Sequence, residues 1–97
     1  MDPKKAANEA KKKSDDAKKN ADKAKRDADK AYDEYTKARD RWRKNRTDRN
    51  WEKVQKAYQK ASAAQEKYGK ALDEWRKRLD EWNEAEKKLR ESEEVSP

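Results

Sequence analysis

The sequence has no cysteine and no histidine. The first absence excludes a disulfide framework and thiol chemistry. The second removes the usual general base and the commonest nitrogen ligand for metals. Glycine occurs once, at Gly69, and proline twice, at Pro3 and Pro97. Loop-rich and disordered chains carry more of both. Strand formers are scarce and no hairpin dipeptide such as Asn-Gly occurs, which argues against β-sheet. No apolar run approaches the roughly 20 residues of a membrane span, and no signal-peptide core is visible. Membrane insertion is therefore not expected, and the compartment stays open. No glycine-rich loop is present to cradle a phosphate. Carboxylates that share a helix face, such as Asp29 with Asp33 and Asp80 with Glu84, are interspersed with Lys and Arg and read as solvated surface. The expectation is a non-enzymatic protein with no metal and no cofactor.

What the chain does have is charge. Of its 97 residues, 53% are charged and 30% hydrophobic, with a net charge of +7. Such numbers suit either disorder or a thin helical assembly that needs only a narrow apolar seam. Periodicity decides for the second. In the second half Trp51, Val54, Tyr58, Ala61, Gln65, Tyr68, Leu72, Trp75, Leu79, Trp82, Glu86 and Leu89 recur in alternating steps of three and four. That is a heptad seam with a at Trp51 and d at Val54, and only Gln65 and Glu86 are polar. The first half repeats the spacing with smaller residues: Ala7, Ala10, Ser14, Ala17, Ala21, Ala24, Ala28, Ala31, Tyr35, Ala38, Trp42 and Asn45.

The two frames are offset by two residues, so the helix breaks between Asn45 and Trp51. Thr47, Asp48 and Asn50 are all N-cap types, and Asn45 tolerates a left-handed C-terminal position. The expected fold is all-α. One domain spans residues 1–97, with helix 1 at about 4–45, a turn at about 46–50 and helix 2 at about 51–93. A connection that short makes the helices antiparallel.

With the turn centred on Asp48, small residues face large ones. Trp42 meets Val54, Tyr35 meets Ala61, Ala28 meets Tyr68, Ala24 meets Leu72, Ala21 meets Trp75, Ala17 meets Leu79, and Ala7 meets Leu89. Tyr58 faces Ala38 and Trp82 faces Ser14. This size alternation is what an interdigitated core requires. Ala57, Ala64, Ala71 and Ala85 lie at g positions and widen the apolar face of the second arm. That flank suits a second copy, so a homodimer closing a four-helix bundle stands beside the monomer.

Function is sought where the seam ends. Trp75 and Trp82 belong to the core, whereas Trp42 and Trp51 flank the turn, where cover is thin. Between Arg39 and Arg49 lie five of the nine arginines, plus Lys44, opposed only by Asp40 and Asp48. Residues 80–94 carry seven acids and three bases. One reading is a solvated tip, with the acidic end pairing against the lysine-rich start of the first arm. The sharper reading makes Trp42, Arg43, Arg46, Arg49 and Trp51 a partner-binding tip for an acidic receptor surface. Arg forks match carboxylates, and Trp and Arg dominate interface hot spots.

The Ala-rich stretch KKSDDAKKNADKAKRDADKAYDEY and the segment AAQEKYGKALDEW resemble the coiled coils of bacteriocins and of Gram-positive surface proteins. The architecture is similar to the receptor-binding hairpin of the E-group colicins, whose tip engages an outer-membrane receptor. The resemblance rests on architecture and composition over the whole chain. It implies a secreted or cell-surface bacterial protein that binds a receptor by its tip, and it carries over no residue one by one. A designed helical hairpin with no native function would show the same unbroken register. A basic hairpin lying along RNA is the second functional class. It is disfavoured by the acids spread through both arms and by the lack of a groove-reading motif.

Overall fold

The computed structural model describes residues 2–95. Helix α1 runs Pro3–Lys44 and helix α2 runs Asp48–Val95. Among the described residues, only Asp2 and residues 45–47 lie outside them. The fold is all-α, a helical hairpin.

Both helices start at a side-chain cap. Asp2 Oδ1 accepts the Lys4 N–H at 3.1 Å, and the Asp2 carbonyl accepts the Ala6 N–H at 3.0 Å. Pro3 takes the first helical position, where its missing N–H costs nothing. At the turn, Thr47 Oγ1 accepts the Asn50 N–H at 3.1 Å. The Asn50 side-chain amide donates to the Asn45 carbonyl at 2.8 Å, satisfying one of the carbonyls that α1 leaves open. Thr47 is thus the cap. Asp48 falls in the first turn of α2, where a carboxylate favours the positive end of the helix dipole. No described residue has a positive φ, so the left-handed conformation that Asn45 tolerates is not used.

The connection is therefore residues 45–47, not 46–50, and α2 begins three residues earlier than expected. The turn centres on Arg46, and partners slide accordingly. Trp42 packs on Trp51, Tyr35 packs on Tyr58 and lines one groove with Ala61, and the Lys18 ammonium lies 6.0 Å from the Trp75 ring.

The chain divides into two compact units, one comprising Asp22–Lys70 and the other Met1–Ala21 with Ala71–Pro97. In the unit of residues 22–70, Ala24, Ala28, Ala38 and Val54 are buried. Ala57, Ala61, Ala64 and Tyr68 are half-buried, while Trp51, Tyr58 and Gln65 are exposed. The inward stripe of α2 has rotated from the expected a positions to the alanines at g. Alanines supply much of the covered stripe on both helices, a composition that permits close approach of helix axes. Aromatics are pushed to the outside. Ala57 and Ala64, on the flank read as suited to a second copy, are half-buried in this unit.

In the unit of residues 1–21 and 71–97, Ala7, Ser14, Ala17 and Ala21 are buried. Leu72, Trp75, Leu79, Trp82 and Leu89 are half-buried, and so are Ala71 and Ala85. Small residues on α1 sit under large ones on α2. No large side chain in the described chain is fully buried, so each contributes only part of the roughly 1.5–3 kcal/mol of full burial.

Candidate functional site

The residues expected to bind a partner lie at and beside the turn, in the unit of residues 22–70. The Trp42 and Trp51 rings pack at 4.9 Å between centroids, tilted by 49°. The Arg46 guanidinium lies 5.1 Å from the Trp42 ring, a cation–π geometry. Trp42 is half-buried and Trp51 remains 44% exposed. Register slippage produces this tilted contact, because the shorter turn sets the two indoles opposite each other.

The arginines differ in their surroundings. Arg43 reaches Asp40 only at 4.0 Å, with both side chains exposed. Such a pair is worth little in water. Among the described residues Arg46 and Arg49 have no carboxylate partner. Arg41, Arg43 and Lys44 occupy the last turn of α1, where its carbonyl ends favour positive charge. Helix geometry thus tolerates the cationic cluster without neutralising it.

The same unit carries an aromatic face that the seam frame hides. Tyr32 is 60% exposed and Tyr58 is 58% exposed, although the frame puts Tyr58 on the seam. Tyr35 bridges them, with centroids 6.2 Å from Tyr32 and 5.6 Å from Tyr58. The Arg39 guanidinium lies 5.5 Å from the Tyr35 ring, and its Nε is buried without a hydrogen-bond partner. Tyr35, Trp51, Val54, Gln55, Tyr58 and Gln59 line a shallow groove of about 460 Å³. One signal was present in the sequence: Tyr32 is an aromatic off the heptad, three residues before Tyr35.

In the other unit the polar seam residue Glu86 is explained, since its Oε1 accepts the Trp82 indole N–H at 3.0 Å. Arg78 is on the inward stripe and bridges Glu74 at 2.9 Å and Glu81 at 3.0 Å. The Glu81 hydrogen bond leads in holding its guanidinium above the ordinary arginine value. Every ion pair among the described residues joins positions three or four apart in one helix. Among the described residues, no ion pair joins the acidic end of α2 to the lysine-rich start of α1, the pairing that one reading of the sequence offered.

Among the described residues no helix is long and apolar enough to cross a membrane. Compared with known proteins, the chain matches no family model, no curated protein and no solved structure.

Proposed function

We propose that this chain is a non-enzymatic protein-binding hairpin whose basic, aromatic tip docks on an acidic protein surface. One observation carries the reading: a packed indole pair, half-exposed through Trp51, with the Arg46 guanidinium on Trp42 and neither Arg46 nor Arg49 paired to a carboxylate among the described residues. Burying that pair under a partner removes apolar area from water. Meanwhile Arg43, Arg46 and Arg49 find forked acceptors on the partner. The tip sits where the resemblance to the colicin receptor-binding hairpin places receptor contact. A secreted or cell-surface location belongs to this proposal through that resemblance.

The test uses Trp75→Phe with Trp82→Phe, which leaves Trp42 and Trp51 as the only indoles. Titration with poly-glutamate at low salt is expected to change their emission saturably. Arg43→Ala, Arg46→Ala and Arg49→Ala together should abolish the change while helicity by circular dichroism holds. A response that survives the triple replacement removes the tip as the site. A parallel titration with tRNA separates the nucleic-acid reading: salt-sensitive binding of tRNA without binding of poly-glutamate would replace the proposal by that one.

A further inference from the structure

The acidic part of the chain has a shaped surface of its own. A groove of about 550 Å³ opens in the unit of residues 1–21 and 71–97. It is lined by the apolar Pro3, Ala6 and Ala85, by the carboxylates of Asp80, Glu81 and Glu84, and by Lys88. Glu81 is engaged by Arg78, whereas Asp80 and Glu84 have no cationic partner among the described residues. Residues 80–94 carry seven acids against three bases, and residues 39–49 carry six bases against two acids. One chain therefore presents an aromatic, cation-rich tip and a partly apolar, carboxylate-lined groove of opposite charge.

We infer that the groove is the seat for the tip of a second copy of this chain, so that molecules associate tip to groove. The inference rests on the tip's preference for acidic surfaces proposed above. Such a contact is heterologous: each copy offers one tip and one groove. A single tip in a shallow groove buries less than a standard protein interface. The association is therefore weak, dependent on concentration and sensitive to salt, because exposed charges carry its selectivity.

A charge exchange tests it. One variant reverses the tip, Arg43→Glu, Arg46→Glu and Arg49→Glu. The other reverses the groove, Asp80→Lys and Glu84→Lys, leaving the Glu81–Arg78 bridge intact. Both sets of positions are exposed, and circular dichroism checks that each variant stays helical. By sedimentation at about 0.1 M salt, the wild type should rise above its 11.6 kDa monomer mass as concentration increases. The rise should vanish at about 1 M salt, where the screening length falls from ~10 to ~3 Å. Each variant alone should stay monomeric, because it then presents one sign at both places. An equimolar mixture should associate again. A wild type that stays monomeric at low salt, or a mixture that does not associate, overturns the inference. So does a groove that takes up a lysine-rich peptide while the chain itself stays monomeric, since its occupant would then be foreign. Failure of self-association with poly-glutamate binding intact sinks only this inference. Loss of poly-glutamate binding sinks the tip reading beneath it.

Discussion

Thr47 lends its hydroxyl to the Asn50 N–H, and that bond sets where α2 begins. Three candidate caps stand in a row here, and composition alone does not rank Thr47 above Asp48 or Asn50. The structure resolves the choice: Thr47 accepts the Asn50 N–H with its hydroxyl and the Trp51 N–H with its carbonyl, so Asp48 and Asn50 already lie inside the first turn. Replacing Thr47 by Ala removes the acceptor and should cost about 1 kcal/mol, read as a lowered urea midpoint. Thr47→Asn keeps a capping oxygen and should leave the midpoint nearly unchanged. If both variants behave alike, the cap is not what fixes the turn. The tryptophans show what single residues disclose in the sequence. Distance from the turn was enough to separate Trp42 and Trp51 from Trp75 and Trp82. Their mutual contact was not legible, because it depends on a turn shorter than the one the caps suggest.

Each helix was legible as a helix because the 3–4 spacing persists through it and nothing interrupts it. Which face of α2 turns inward was not. Alanine at g and large residues at a offer two neighbouring stripes, and a small rotation exchanges them. Around Ala28 the structure favours the alanine stripe: Ala28 is 5% exposed, and Tyr58 lies outside. Such a site has no room, so Ala28→Leu should destabilise by about 1–3 kcal/mol through overpacking. Tyr58→Ala, by contrast, should change the melting temperature little. Gly69 offers the opposite case. It lies inside α2, and a Cβ built there meets nothing within 4 Å. Its backbone is ordinary helix, so Gly69→Ala should stabilise by about 0.5–1 kcal/mol, mainly by restricting the unfolded chain. Thermal melts by circular dichroism check all three. A Gly69→Ala variant that melts lower would mean that the half-buried glycine serves a close contact that a methyl group blocks.

For the whole molecule, the order of unfolding follows from chain connectivity. The unit of residues 22–70 contains the turn, so its helices meet after closing a loop of only residues 45–47. The segments of the other unit are far apart in sequence and meet at little entropic cost only while residues 22–70 are folded between them. If those residues unfold, the loop to be closed grows to all of residues 22–70, roughly sixteenfold longer, at an added cost of about 2–3 kcal/mol by the (3/2)RT ln n relation. The seam is thin, with no large side chain fully buried, and the unit of residues 1–21 and 71–97 has no comparable reserve. It should therefore lose structure before or together with residues 22–70, and never after them. The tryptophans report the two units separately, since Trp42 and Trp51 lie in one and Trp75 and Trp82 in the other. Trp42→Phe with Trp51→Phe leaves indoles that follow the second unit, and Trp75→Phe with Trp82→Phe leaves those that follow the first. In urea, with both melts referenced to the circular dichroism of the same variant, the Trp75 and Trp82 signal should change at an equal or lower midpoint. A higher midpoint for that pair would contradict the closure argument. It would mean that residues 1–21 and 71–97 hold together without the turn, a result that only strong packing around Trp75, Leu79 and Trp82 would explain.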